Sequence, residues 1–256
     1  MSVQVSEAEF RVYWQPHCSS CAFVKQYLTR HGIPYRSINV LEHQGAYADM
    51  ARIGAKSVPI VARGERFVYA QSIADVAAFV GIGGTSVNIS PQDLIDRLDT
   101  ILTASARYVR QLPDAKLDQD MPNRPRSYRV LAHHAFRVAE SFLDAVDREV
   151  LTYESLTAPP PASLATSAKI AAYGDDVRKR LRDWWISWPH KRGDYVMRTY
   201  YGEKPMSEVL LRTASHAGQH SRQLAEILGR LGIAPERPLA EAAFEGLLIA
   251  EQALDA

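Results

Sequence analysis

Strand-like and helix-like stretches alternate in the first third of the chain. The four short apolar runs that favour strands lie at residues 10–14, 35–40, 59–61 and 66–69. The three stretches that favour helices lie at residues 21–31, 44–53 and 72–80. This succession predicts the order β-α-β-α-β-β-α, in which a βαβ unit opens the fold.

The pattern changes after a glycine-rich stretch. Residues 81–86 have the sequence Gly-Ile-Gly-Gly-Thr-Ser, a composition typical of a flexible linker. We therefore predict a first domain over residues 8–81, a linker over residues 82–89 and a second domain over residues 90–250.

Strand-like runs nearly disappear in the second domain. Ser90 and Pro91 combine an N-cap residue with a proline at the first helical position, a pairing that favours a helix start. The four helices that the spacing predicts lie at residues 91–111, 127–151, 164–188 and 206–231. Four helices of this length predict an all-α four-helix bundle.

The composition is that of a folded globular protein. Of the 256 residues, 46% are hydrophobic and 23% are charged, which supplies a sizeable core and disfavours disorder. The 30 basic and 29 acidic residues leave a net charge of +1, so no strong field attracts nucleic acid or anionic lipid. No apolar stretch approaches the roughly 18 residues of a membrane span, and the first residues do not resemble a signal peptide. We expect a cytoplasmic protein without nucleic-acid or membrane partners.

Only two cysteines occur, Cys18 and Cys21. They lie between a predicted strand and a predicted helix, which puts Cys18 at the helix N-terminus, where unpaired amides favour a thiolate. Cys18 is therefore the candidate nucleophile, and Cys21, one turn later, is the candidate resolving thiol. The alternatives are a structural metal pair and two buried thiols without chemistry. Structural zinc usually takes four Cys or His ligands, and only His17 is close in sequence.

A proline opens the third predicted strand. Val58-Pro59 follows a loop, where a cis bond would place backbone beside the reactive sulfur, although an ordinary strand-starting proline also fits. Together with Cys18-Ser-Ser-Cys21 after the first strand and Gln71-Ser72 before the last helix, this dipeptide gives residues 8–81 their likeness to a known family. The segment resembles a glutaredoxin.

The glutaredoxin resemblance carries expectations about fold and chemistry. It implies an α/β thioredoxin-like domain and the activity of a thiol–disulfide oxidoreductase. It also implies a low-molecular-weight thiol such as glutathione as cosubstrate. The residues expected to hold that thiol are Val58, Pro59, Gln71 and Ser72.

Three histidines fall on the inner side of the predicted bundle. His216 and His220 are four residues apart on the last helix, so both imidazoles lie on one face. His134 lies on the apolar stripe of the second helix, and its neighbour His133 falls toward the edge of that stripe. Any one of them is more often an ordinary hydrogen-bonded residue. Three buried rings are costly without partners, and a divalent metal satisfies three neutral nitrogens while leaving one position open to substrate.

Three segments of the second domain carry a further likeness: Ser90-Pro91 at the first helix, residues 131–136 in the second and residues 211–224 in the last. With these segments, residues 88–250 resemble the DinB family of metal-binding four-helix bundles. The resemblance implies a zinc, nickel or related divalent ion at His134, His216 and His220. It also implies thiol-dependent transferase chemistry among relatives, and a homodimer.

Other polar residues near the histidines have two interpretations. Gln219, Gln223 and Glu140 are candidates to orient the metal ligands, but solvated or capping roles are at least as common on such helices. The arginines before the second helix are candidates to face an acidic substrate, although a solvated loop and helix start is the favoured interpretation; they are Arg124, Arg126 and Arg129.

Two classes of function account for a dithiol and a histidine trio in one chain. The leading hypothesis is a glutaredoxin-like oxidoreductase coupled to a metal site that activates a low-molecular-weight thiol or its conjugate. The alternative is a metal- or redox-sensing binding protein without turnover in the bundle. A weaker hypothesis makes the bundle purely structural.

Overall fold

The computed structural model describes residues 9–83, 89–148 and 150–254. The chain divides into two compact units, one before and one after residues 84–88. Most of the predicted linker, residues 82–89, therefore lies outside the described residues. No helix in the described ranges is both long enough and apolar enough to cross a membrane.

A mixed sheet flanked by helices forms the first unit. Its elements are β1 (Phe10–Trp14), α1 (Ser19–Arg30), β2 (Tyr35–Asn39), α2 (Ala46–Arg52), β3 (Ile60–Arg63), β4 (Arg66–Tyr69) and α3 (Ile73–Val80). The strand order is β2-β1-β3-β4. Strand β1 is parallel to β2 and antiparallel to β3, which is antiparallel to β4. This arrangement fits a thioredoxin-like fold and has the predicted element order.

Strand β1 is buried on both faces. Successive residues of a strand point to opposite sides of the sheet, and Val12 and Tyr13 are 0% and 1% exposed. Tyr13 packs in a cluster with Ile38, Ile60 and other apolar residues of the neighbouring strands. The pairing of β1 with β2 and β3 sets the position of the loop that follows β1.

Four long helices form the framework of the second unit. Its helices are α4 (Pro91–Gln111), α5 (Tyr128–Arg148), the short α6 (Tyr153–Thr157), α7 (Ser167–Ser187) and α8 (Met206–Arg230). Helix α4 packs against α7 and α8, and α5 packs against the same two helices. Ser90 caps α4 by accepting a 3.1 Å hydrogen bond from the amide of Asp93, and Pro91 occupies the first turn. The prediction of a helical second domain is confirmed.

Short strands connect the helices. They are β5 (Asp120–Met121), β6 (Arg124–Ser127), β7 (Val150–Leu151), β8 (Val196–Thr199) and β9 (Gly202–Pro205). Strands β5 and β6 form a hairpin, and β7-β8-β9 form a small sheet. The sequence predicted loops at β5 and β6 and a hairpin-like or irregular stretch near β8 and β9, because strands of two to four residues show little periodicity. At β7 the prediction of a helix over residues 127–151 is wrong, because α5 ends at Arg148. Strand β6 runs directly into α5, and β9 into α8.

The chain after α8 lies along the bundle with little regular structure beyond a 3₁₀ turn at Glu241–Phe244. Side chains of the bundle hold its main chain. Arg97 donates to the carbonyls of Ala242 and Glu245 at 3.1 and 2.7 Å. Gln219 donates to the carbonyl of Gln252 at 2.7 Å. This C-terminal segment is thus attached through backbone carbonyls and through buried side chains such as Ala250 and Leu254.

Candidate functional site

The two cysteines meet at the start of α1. Strand β1 ends at Trp14, and Cys18 is the N-cap residue of α1, with extended backbone angles of φ −94° and ψ 116°. Cys18 and Cys21 are joined in a disulfide with their Cα atoms 5.2 Å apart. Cys18 keeps part of its surface accessible, whereas Cys21 is 0% exposed. Cys18 is therefore the more accessible residue of the pair.

The loop before β3 lies at the same end of the sheet as this pair. Ile60, the first residue of β3, is paired with Tyr13 near the end of β1, so the residues that precede Ile60 face the loop that follows β1. The peptide bond between Val58 and Pro59 is cis. The sequence had left the isomer open.

Hydrogen bonds join this loop to the segment before α3. The amide of Ala70 donates to the carbonyl of Pro59 at 3.0 Å, and Nε2 of Gln71 donates to the carbonyl of Val58 at 3.4 Å. The hydroxyl of Ser72 accepts from the amide of Asp75 at 3.1 Å and so caps α3. The four residues expected to hold a thiol, Val58, Pro59, Gln71 and Ser72, are thus brought together.

Three enclosed polar atoms around this site have no partner among the described residues: Oγ of Ser19, Oγ of Ser57 and Oε1 of Gln71. Ser19 follows Cys18 directly, and Ser57 precedes Val58. Burying such groups without partners costs about 1–3 kcal/mol each, so the site holds hydrogen-bonding capacity that its own residues do not use.

Residues 10–68 match the Glutaredoxin family model. The match runs from the start of β1 to β4 and includes the cysteine pair. A glutaredoxin domain that carries such a pair indicates thiol–disulfide redox function and a thiol such as glutathione as cosubstrate. No curated protein matches the chain.

A second cluster of candidate residues lies in the helical unit. His216 and His220 stand one turn apart on α8 with ring centres 4.7 Å apart. His134, from α5, has its ring centre 5.2 Å from His216 and 5.0 Å from His220. One nitrogen from each ring lies within 4.8 Å of the others. The structure thus brings together all three histidines that the sequence singled out.

The three imidazoles are held in the neutral form. Burial lowers the pKa of His134, His216 and His220 well below the ordinary value, and the charge of Arg126 lowers each of them further. For His216, the charges of His220 and Arg212 act after burial in the same direction. Neutral imidazole is the form that binds metal, so burial prepares the cluster for coordination.

Gln223 fixes the orientation of one of these rings. Nδ1 of His220 lies 2.7 Å from Oε1 of Gln223, and because that oxygen can only accept, Nδ1 carries the proton. The lone pair is then on Nε2, which is enclosed and has no partner among the described residues. Nδ1 of His216 is likewise enclosed and unpartnered. These nitrogens fit a divalent ion, which takes histidine nitrogens at about 2 Å.

Two expectations about the neighbouring residues are wrong. His133 is not at an edge but 3% exposed, because Tyr173 of α7 stacks on it at 5.2 Å between ring centres. Glu140 does not orient a metal ligand and is not solvated; it accepts a 2.6 Å hydrogen bond from Tyr173 and pairs with Arg137 and Arg180 between α5 and α7. Sequence spacing could not show where α7 would pack.

The two glutamines of α8 have different roles. Gln223 contacts His220, whereas Gln219 contacts the C-terminal segment, where it donates to the carbonyls of Gln252 and Ala253 at 2.7 and 3.0 Å. Both are almost fully buried, with Gln219 2% and Gln223 1% exposed. Because they are four residues apart, both lie on one face of α8, and their position along the helix distinguishes them.

The arginines of β6 and early α5 also differ. Arg129 pairs with Asp118 at 3.0 Å and keeps some exposure. Arg126 is 8% exposed, so the favoured interpretation of a solvated loop is wrong for this residue. Arg212, one turn before His216 on α8, is 6% exposed, and sequence reasoning missed it. Its i, i+4 spacing to His216 was the signal that could have found it.

Proposed function

We propose that this protein is a thiol–disulfide oxidoreductase whose glutaredoxin unit works with a divalent-metal site in the helical bundle. In this proposal Cys18 is the nucleophile and Cys21 the resolving thiol. The bundle site belongs to low-molecular-weight-thiol-dependent transferase or reductase chemistry. The difference in exposure between the two residues is the observation that carries the redox half, since an incoming disulfide reaches the partly exposed Cys18 more readily than the buried Cys21.

The redox cycle follows from thiol–disulfide exchange. The Cys18 thiolate attacks one sulfur of a substrate disulfide, forms a mixed disulfide and releases the other substrate thiol. The Cys21 thiolate then attacks the Cys18 sulfur, which releases the second substrate thiol and forms the Cys18–Cys21 disulfide of the present structure. Two molecules of a low-molecular-weight thiol return the pair to the dithiol and leave as their disulfide. Two electrons pass in each half of the cycle.

Glutathione or a related thiol is the proposed cosubstrate. Its site would be formed by Val58, Pro59, Gln71 and Ser72, which lie at the cysteine end of the sheet. The unpartnered Oε1 of Gln71 offers an acceptor to an amide of such a peptide thiol. A compartment that keeps thiols reduced, such as the cytoplasm, would supply it.

His134, His216 and His220 would hold a divalent ion, with zinc or nickel as the first candidates. The likeness of the bundle to the DinB family supports this assignment, together with the enclosed, unpartnered nitrogens of His216 and His220. A bound ion would lower the pKa of a coordinated thiol or water. The chain's own contribution is to keep the rings neutral and to fix the His220 ring through Gln223. A homodimer through the bundle belongs to the same proposal.

The redox half is tested with Cys18→Ser in an assay that reduces a model mixed disulfide with glutathione. We expect activity to fall to the uncatalysed rate. Ser20→Ala, which changes the residue between the cysteines and leaves both thiols in place, is the control and should keep most of the activity. Reductase activity that persists in Cys18→Ser would show that the nucleophile is assigned wrongly.

The metal half is tested by elemental mass spectrometry on untagged protein. We expect close to one equivalent of one metal per chain, and loss of that metal in the double variant His216→Ala, His220→Ala. His190→Ala, which removes an exposed histidine of the same unit, is the control and should keep the metal. Absence of metal from the unaltered protein after reconstitution would remove the metal from the proposal.

A metal- or redox-sensing protein without turnover in the bundle is the second candidate. One observation favours it: within the described ranges, no carboxylate joins the three-histidine cluster to act as a general base. Metal-loaded protein that binds a thiol at the bundle but converts none of a panel of thiol conjugates would favour sensing. Turnover that is lost in the double histidine variant would exclude it.

A further inference from the structure

Two buried arginines accompany the three histidines in the bundle. Arg126 is 8% exposed and Arg212 is 6% exposed. Charged side chains are rarely buried to this extent unless they are paired. A negatively charged partner is therefore expected for these two side chains.

Arg126 comes from β6, the strand that leads into the helix bearing His134. Strand β6 ends at Ser127, directly before α5 begins, so Arg126 lies about two turns of helix before His134. Within the described residues, no hydrogen bond or ion pair to its side chain is found. Arg129, three residues later, is in contrast paired with Asp118.

Arg212 lies on α8 one turn before His216, on the same face of the helix. One of its nitrogens, Nη2, donates to the hydroxyl of Tyr200 at 3.1 Å, and its guanidinium carbon lies 5.4 Å from the centre of the Tyr201 ring. Nε and Nη1 are enclosed and have no partner in the described part of the chain. Glu208, one turn further back, forms no ion pair with it among those residues.

The two arginines place positive charge beside the histidine cluster, and Arg212 adds two N–H donors without a partner among the described residues. Leaving a buried guanidinium without a counter-charge is costly. The neutral histidines cannot supply negative charge, and a divalent ion would add positive charge. A negatively charged ligand would relieve this imbalance, and guanidinium groups bind carboxylates through charge-assisted hydrogen bonds.

We propose that the ligand of the bundle site is a small molecule with a carboxylate, which Arg126 and Arg212 bind beside the three histidines. This proposal rests on the proposed function for the thiol at the same site and adds the class of substrate: a carboxylate-bearing thiol or its conjugate. The two arginines are binding residues that select the charge of the ligand.

The test compares two probes that differ only in charge, 3-mercaptopropionate and its neutral amide, 3-mercaptopropionamide. Both are titrated into the full chain carrying Cys18→Ser and Cys21→Ser, so that the first unit cannot exchange disulfides. Calorimetry is used for zinc-loaded protein, and NMR chemical-shift titration for metal-free protein. We expect the carboxylate probe to bind at least about tenfold more tightly than the amide.

Arg126→Gln and Arg212→Gln should each reduce the preference for the carboxylate about tenfold and leave both zinc content and amide binding unchanged. Arg126→Lys and Arg212→Lys keep the charge and should retain part of the preference. Arg129→Gln is the matched control, because Arg129 is paired with Asp118, and it should keep the full preference.

Two results would overturn the proposal: equal binding of the two probes to the protein with both arginines, or a preference that persists in both glutamine variants. If a glutamine variant fails to fold, the ratio of the two probes on the protein with both arginines decides. Failure of the metal assignment is distinguishable, because it appears as absent zinc while the metal-free titration still measures the preference.

Discussion

Nδ1 of His220 donates a 2.7 Å hydrogen bond to Oε1 of Gln223, three residues later on the same helix. This bond turns the other nitrogen of the ring, Nε2, toward His134 and His216 with its lone pair free. Partners of this kind set the tautomer and the orientation of a metal-binding histidine. The glutamine is therefore expected to act on the metal without touching it.

Removing that acceptor should weaken metal binding. We expect Gln223→Ala to lower the affinity for zinc by about 10–100-fold, measured by competition with a chromogenic chelator. Gln223→Glu, which keeps an acceptor, should hold the affinity near its original value. Gln219→Ala is the matched control, since Gln219 bonds to the C-terminal segment, and equal losses in both alanine variants would contradict the role given to Gln223.

The cysteines should be distinguishable by the adducts they form. Cys21→Ser leaves Cys18 without a resolving thiol, so a mixed disulfide with glutathione should accumulate to nearly one per chain on treatment with glutathione disulfide. Intact-protein mass spectrometry measures the adduct. In Cys18→Ser the remaining sulfur is the enclosed one, and its adduct should form at least about tenfold more slowly. If the adduct formed faster in Cys18→Ser than in Cys21→Ser, Cys21 would be the nucleophile and Cys18 the resolving thiol.

How well the sequence predicts a helix or strand depends on how many residues carry its pattern of apolar positions. Helix α4 was predicted with its bounds because Ser90, Pro91 and a long periodic stretch all act along the chain. Strands β5 and β7, of two residues each, have no periodicity to detect. The histidine trio was predictable because two members share a helix face. The partner of His220, the burial of Arg126 and the part played by Arg212 depend on how the helices rotate and pack.

The pKa of Glu140 makes part of the stability pH-dependent. Burial raises this pKa, but the hydrogen bonds from Tyr173 and Arg137 and the nearby positive charges outweigh burial and hold it below its ordinary value. A carboxyl with a lowered folded-state pKa stabilises the fold above its unfolded pKa of about 4.3 and loses that contribution as the pH falls through the folded value. Glu140→Gln should therefore cost about 1–3 kcal/mol at neutral pH and progressively less below about pH 4.

Urea denaturation at a series of pH values measures the difference between Glu140→Gln and the unaltered chain. Asp183→Asn is the control, because Asp183 forms an exposed pair with Lys179 and such pairs contribute little. A cost for Glu140→Gln that stays the same across the acid range would show that charge is not its cause.

Two glycines in the bundle helices should respond in opposite directions to the same substitution. A Cβ added to Gly174 on α7 would overlap the ring of Phe136 on α5, which is fully buried. Gly174→Ala should therefore destabilise the second unit by about 1–3 kcal/mol. Gly229→Ala on α8 meets nothing within 4 Å and should stabilise it by about 0.5–1 kcal/mol. Chemical denaturation measures both, and equal effects would show that α5 and α7 are not in close contact.

The C-terminal segment is held by side chains of the bundle acting on its carbonyl groups, among them Arg97 and Gln219. Every amino acid supplies the same carbonyl, so many residues of the segment can change without loss of these bonds. The donors have no such freedom, because losing one guanidinium releases two carbonyls at once. For these hydrogen bonds, tolerance to mutation is thus greater in the segment than in the helices that hold it, whereas buried side chains of the segment such as Ala250 and Leu254 are constrained by packing.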